Sequence, residues 1–144
     1  MEIKFNIIDD SNINLLFDFV KQIKSNHFRY FKSNCCEFIR DRIKNHVITV
    51  ILTANSSSQI IGYAHLDQDF KIWFGIYILE NYQSQGYGNK LINYMIEYCK
   101  HHQIDEIYLS VDKDNEKAIK MYKRHNFKDV SEDKGVILMN KNMT

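Results

Sequence analysis

A chain of 144 residues, 44% hydrophobic and 26% charged, has the makeup of one soluble globular domain long enough to bury a core. Its 19 basic and 18 acidic side chains leave no electrostatic footprint for nucleic acid or a membrane surface. The three cysteines, Cys35, Cys36 and Cys99, are odd in number and two are adjacent, which excludes an ordinary disulfide framework and suits a reducing cytoplasm.

The first segment, MEIKFNIIDDSN, lacks the basic region and the apolar run of a signal peptide. No apolar stretch approaches the ~20 residues needed to cross a bilayer. Residues 2–8 alternate as a first strand. Asp9, Asp10 and Ser11 then offer caps for a helix over about 12–25, with Leu16, Phe17, Val20 and Ile23 on its apolar face. Residues 25–34, SNHFRYFKSN, break the pattern as an aromatic loop, and a short helix over about 35–44 buries Phe38, Ile39 and Ile43.

Two β-rich runs, 47–54 and 59–67, flank the polar turn NSSS and predict a hairpin. A link at Gln68-Asp69 leads to KIWFGIYIL (71–79), the most apolar strand and a central one. A helix over 87–102, a strand over 106–111 and a helix over 115–126 follow. Residues 127–141 form a terminal hairpin turning at Asp133–Gly135. The string is α+β or mixed α/β, in a single domain spanning 1–144.

Between the apolar strand and its helix lies QSQGYG (83–88), which holds two of the five glycines. The first N–H groups of a helix have no intrahelical partner, and the macrodipole is positive there. Gly86 and Gly88 would let main chain approach a phosphate, or would serve as ordinary turn glycines. The stretch does not match a Walker loop, and it lacks the third glycine and the first-unit position of a dinucleotide fingerprint.

Gln83-x-x-Gly86-x-Gly88 after a strand resembles motif A of the GCN5-related N-acetyltransferases (GNAT). Asn115-x-x-Ala118-x-x-Met121-Tyr122, followed by Asn126-Phe127, is similar to that family's second signature. The likeness runs from about residue 3 to 140. It implies a mostly antiparallel twisted sheet with a splayed parallel pair, opened at a bulge, and acetyl-CoA as co-substrate. It further implies that main-chain amides of Ser84, Gln85, Gly86, Tyr87, Gly88 and Asn89 bind the pyrophosphate. The main chain of Ile76 and Ile78 would pair with the pantetheine arm, and Gln83 would shape the loop.

Asn115, Ala118, Ile119 and Tyr122 share one helix face, with Asn115 and Tyr122 roughly 10 Å apart along the axis. An extended pantetheine arm reaches both, so Asn115 joins the cofactor set. In the family a tyrosine at the position of Tyr122 protonates the leaving thiolate, which a phenol with a pKa near ~10 can do. The opposing reading is a core tyrosine. Some relatives carry a basic glutamate six residues before the position of Ile78, where this chain has Ile72. His65 and Asp67 remain as candidates for the base, and an acceptor of low pKa needs none. Glu80 stands where many relatives have proline.

In this fold the segment after the first strand closes the acceptor pocket, which makes Arg29, within HFRYF, a candidate to clamp an anion or a ring. The fragments FRYF, GYAHLD and WFGI resemble members that acetylate nucleotide-linked amino sugars. His101-His102 and Cys35-Cys36 lack metal-ligand spacing, so no metal is expected. The expected activity is acetyl transfer from acetyl-CoA to a small-molecule amine by direct attack in a ternary complex. Dimers are frequent in the family. The rivals are a protein or peptide N-acetyltransferase and a non-catalytic acyl-CoA-binding module.

Overall fold

The computed structural model describes residues 2–25 and 27–143, so of the aromatic loop only Asn26 lies outside the described residues. Along the chain come β1 (Ile3–Ile7), α1 (Asn14–Lys21), α2 (Cys36–Arg42), β2 (His46–Ala54), β3 (Gln59–Asp69) and β4 (Lys71–Ile78). They are followed by α3 (Tyr87–His101), β5 (Glu106–Asp112), α4 (Glu116–Arg124), β6 (Lys128–Asp133) and β7 (Val136–Asn142). The strands form one seven-stranded sheet in the order β1-β2-β3-β4-β5-β7-β6. The expected mixed α/β fold is present: every neighbouring pair is antiparallel except β4 and β5.

The apolar strand is central for a physical reason. Both of its faces are covered, so it has no polar side to show to water. Phe74, Ile76 and Ile78 pack with Leu91 and Met95 of α3 and Tyr122 of α4. On the other face Tyr77 joins a second cluster built on Leu16, Phe19 and Val20 of α1 and Ile39 of α2.

Three local expectations are corrected. Asp9 does not cap α1: it accepts from the Ser11 amide and hydroxyl at 2.8 and 2.6 Å, making a turn that leaves Ile13 as N-cap. Phe19, outside the predicted stripe, is fully buried and stacks on Tyr63 at 5.1 Å. Gln68 and Asp69 are not a link, because they pair with Ile72 and Lys71, leaving Phe70 alone to turn the hairpin at φ 59. The terminal turn falls within the predicted Asp133–Gly135, where Lys134 and Gly135 take φ of 50 and 80, the paired positive values a two-residue hairpin turn demands.

Candidate active site

The parallel pair β4–β5 is joined at one register point, Trp73 opposite Tyr108, after which the strands diverge. The β3–β4 ladder keeps unbroken register through this region. The opening therefore comes from β5 leaving, and the bulge expected at the splay is absent from that ladder. Leu79 N–H donates to the Ile61 carbonyl at 2.9 Å. Bonded and non-bonded pairs alternate along an antiparallel ladder, so Gly75 and Tyr77 also direct their main-chain groups to β3. Ile76 and Ile78 direct theirs the other way, into the gap. The gap widens into a cleft of about 1090 Å³.

One end of the cleft is the loop into α3. Gln83 Nε2 donates to the Ile78 carbonyl at 2.8 Å, which pins the loop to the strand end and leaves open the Ile78 N–H and both main-chain groups of Ile76. Ser84 and Gly86 both adopt positive φ, 63 and 89. Gly86 is the N-cap, and a Cβ there would meet nothing within 4 Å, so conformation rather than crowding requires glycine. Gly88 has a different reason: its Cβ would fall 2.7 Å from Met121 Sδ, so α4 could not pack as closely. The first intrahelical bond runs from Lys90 N–H to the Gly86 carbonyl. The amides of Tyr87, Gly88 and Asn89 thus have no partner within the helix. The Gln85 side chain turns back to the Asn81 carbonyl at 3.1 Å, and the Tyr87 ring is buried against Tyr82.

The second wall is α4. Asn115 is its N-cap, yet the side chain makes no capping bond and lines the cleft with Ala118 and Tyr122. The Tyr122 ring is held by Phe74 and Phe127, at 6.5 and 5.6 Å between centroids. Among the described residues its hydroxyl makes no hydrogen bond and no fully buried polar side-chain atom lacks a partner. The oxygen therefore opens to the cleft. Burial raises the pKa of this phenol well above the ordinary value, so it holds its proton at neutral pH.

Across β4 lie the residues expected on the acceptor side. His65 is 3% exposed, and its ring covers Gly75, where a Cβ would come within 2.3 Å of the ring. Its Nδ1 is 2.6 Å from the Tyr63 hydroxyl. Burial, then the nearby His46 and Arg42, push the His65 pKa well below 6.5, so the ring is neutral. Asp67 accepts from the Tyr30 hydroxyl at 2.9 Å, and Tyr30 meets His46 Nε2 at 2.6 Å. With Tyr30's one proton given to Asp67, His46 Nε2–H must donate to Tyr30. His46 Nδ1 then accepts from the Thr49 hydroxyl at 2.7 Å. Burial lowers His46 to about 4, which keeps this chain neutral. Arg42 lies 3.6 Å above the Tyr30 ring and 3.6 Å from Asp67.

Arg29 is brought to the cleft, but its guanidinium forks onto Asp112 at 2.8 and 2.9 Å. His27 Nδ1 adds a contact to Asp112 at 3.0 Å and reaches toward Asp114 at 3.7 Å. The Arg29 and His27 hydrogen bonds hold the Asp112 carboxyl down at about 2. Glu80 lies outside this lining and accepts from the Tyr77 hydroxyl at 2.5 Å; burial, then this bond, lifts that phenol to about 12. The predicted Tyr122, Asn115, Gln83, Ser84, Gly86, Gly88, Asn89, Ile76, Ile78, His65, Asp67 and Arg29 thus share one cleft. Gly75, Tyr30, Arg42, His46 and Asp112 were not predicted. Gly75 alone carried a signal, since a glycine inside an apolar strand marks a close approach.

Residues 17–127 match the family model described as the acetyltransferase (GNAT) family. No curated protein matches the sequence. Among solved structures, the chain is similar to an acetyltransferase of the GNAT family from Streptococcus pneumoniae, at TM-score 0.82 and 20% identity over 98% of this chain and 99% of that one. It is similar to the ribosomal-protein-S18-alanine N-acetyltransferase from Escherichia coli, at 0.78 and 15% over 99% and 95%. A third is the spermidine/spermine N-acetyltransferase from Vibrio cholerae, at 0.73 and 16% over 99% and 93%. At such identities these three likenesses speak for the fold.

Proposed function

The chain belongs to the acetyltransferase (GNAT) family and is an acyl-CoA-dependent N-acetyltransferase, and from that premise we propose that it carries acetyl from acetyl-CoA to the primary amine of a small-molecule acceptor. The transfer is direct, in a ternary complex. The pantetheine arm adds to the open main chain of Ile76, beside Asn115, and the amides from Ser84 to Asn89 receive the pyrophosphate. The free amine attacks the thioester carbonyl, the C–S bond breaks, and Tyr122 gives its proton to the departing sulfur.

One observation carries this reading above all: the Tyr122 hydroxyl, still protonated and with no partner among the described residues, opens into the cleft that the exposed main chain of Ile76 borders. The amine meets the opposite side, where neutral His65 takes the proton that the amine sheds on attack and hands it to water in the cleft; the depressed basicity of His65 suits it to passing a proton on rather than keeping it. The ion pair between Arg29 and Asp112 roofs that side, which favours a small molecule over an extended peptide. Because Asp112 engages Arg29, the reading of Arg29 as a clamp for the phosphate of a nucleotide-linked amino sugar gains no support from this geometry. Free Cys35, Cys36 and Cys99 favour a reducing, cytoplasmic setting.

Thiol release from acetyl-CoA, followed across a panel of polyamines, amino sugars, nucleotide-linked amino sugars and peptides, tests the proposal. Turnover with one or more small amines is expected. Turnover with peptides alone, or acetyl-CoA binding with no acceptor in the panel turned over, would overturn it.

A further inference from the structure

Arg42, the last residue of α2, lines the acceptor side of the cleft with 39% of its side chain exposed. Two contacts fix the plane of its guanidinium. The central carbon lies 3.6 Å above the Tyr30 ring, and Nε donates to the Tyr30 carbonyl at 3.2 Å. Tyr30 is itself held in place: its hydroxyl spans His46 and Asp67, and its ring packs on His65 at 4.2 Å and on Phe31 at 5.0 Å. The two terminal nitrogens of Arg42 make no hydrogen bond among the described residues. Asp67 Oδ2 stands 3.6 Å from Nη1, too far to bond, and takes the Tyr30 proton instead. Arg29 shows the contrast, because Asp112 fills its fork on both sides.

A guanidinium held flat, with both terminal nitrogens open, is shaped to grip a planar oxyanion by two parallel bonds. We propose that Arg42 sets the specificity of the acceptor side, and that the acceptor is a primary amine which also carries a carboxylate, such as an amino acid or an amino-sugar acid. The inference rests on the transfer reading above and names its substrate class. The carboxylate lies on the Arg42 fork. The amine donates an N–H to Asp67 Oδ1, which has no partner among the described residues. Asp67 stands two residues beyond His65 on the same face of β3, so the nitrogen is presented beside the group that takes its proton. Charge selects carboxylate over phosphate: Asp67 and the exposed Asp69 repel a dianion more than a monoanion.

The test adds matched compounds to the acceptor panel: amino acids and amino-sugar acids, each beside its carboxamide, with aminophosphonic acids as the dianionic arm. Wild-type protein should favour the carboxylate over its carboxamide by about tenfold in kcat/KM, carried by KM, a ratio that one partly exposed charged fork supplies. In Arg42→Gln, its fold checked by circular dichroism and acetyl-CoA binding, that ratio should fall to near one. Arg42→Lys keeps the charge without the fork and should keep only part of the preference. A wild-type ratio of one or less, an unchanged ratio in folded Arg42→Gln, or a preference for the phosphonate would each overturn the assignment. Should Arg42→Gln fail to fold, the wild-type ratio and Arg42→Lys still decide. Failure of the transfer reading itself looks different, because no amine of either kind would then release thiol from acetyl-CoA.

Discussion

Arg29 donates to both oxygens of Asp112, at 2.8 and 2.9 Å, and so ties the segment between α1 and α2 to the end of β5. The tie spans the place where β5 has left β4, and on the proposed function it acts as a roof over the acceptor side of the cleft.

Removing either partner should loosen that roof. Arg29→Ala and Asp112→Asn are both expected to raise the acceptor KM several-fold while leaving acetyl-CoA binding intact, as steady-state kinetics and calorimetry would show. If Arg29 were a substrate clamp, Asp112→Asn would release it to bind tighter, the opposite sign. The folded pKa of Asp112 lies at about 2, below its unfolded value of ~3.9. The stability it adds is complete above pH ~4 and is lost as pH falls through about 2. The gap in Tm between wild type and Asp112→Asn should close over that window.

Tyr122→Phe removes a hydroxyl without removing a hydrogen bond or a packed ring. The fold should survive with little change in Tm. The kcat should drop roughly a hundredfold or more, with acetyl-CoA affinity nearly unchanged. A variant with wild-type kcat would show that the thiolate finds its proton elsewhere.

The two glycines of the loop should respond differently. Gly88→Ala drives a methyl to within 2.7 Å of Met121 Sδ and should destabilise by about 1–3 kcal/mol. Adding Met121→Ala should cost less than the sum of the single changes, since each relieves the other. Gly86→Ala meets no atom but keeps a φ of 89, so its cost is backbone strain of order 1 kcal/mol. It should show no coupling to Met121. Denaturant unfolding of the three single and two double variants separates the two cases.

Stability should fall with acid well before the carboxylates titrate. His46 is held at about 4, below its ordinary value near ~6.5. Its folded pKa is depressed, so the neutral ring adds stability above pH ~6.5 that is lost as pH falls toward 4. The linked loss is about 3 kcal/mol over that range, and His65, shifted the same way, adds to it. Urea unfolding at half-unit pH steps reads the slope. His46→Gln should flatten it by about one proton's worth.

The sequence made the elements and the α3–α4 wall of the cleft legible because both are local. Strand and helix periods mark β4 and α4, and the spacing of Gly86, Gly88, Asn115 and Tyr122 follows one helix start and one helix face. The acceptor side joins residues that no local pattern links. His46, Tyr30 and Asp67 meet only because β2 and β3 pair and the aromatic loop folds onto them, and Asp112 meets Arg29 across 83 positions. Gly88 shows a subtler limit. The residue type was readable from the motif, yet its packing reason, Met121, lay on a helix 33 positions away.

On the proposed function, Ile76 offers its main chain to coenzyme A while the start of α3 holds the diphosphate. Backbone amide shifts and hydrogen exchange, followed as the isotope-labelled protein is titrated with coenzyme A, test this residue by residue. Large shifts and new protection are predicted at Ile76 and from Ser84 to Asn89, with β6 silent. Saturable binding that leaves those amides unperturbed would contradict it.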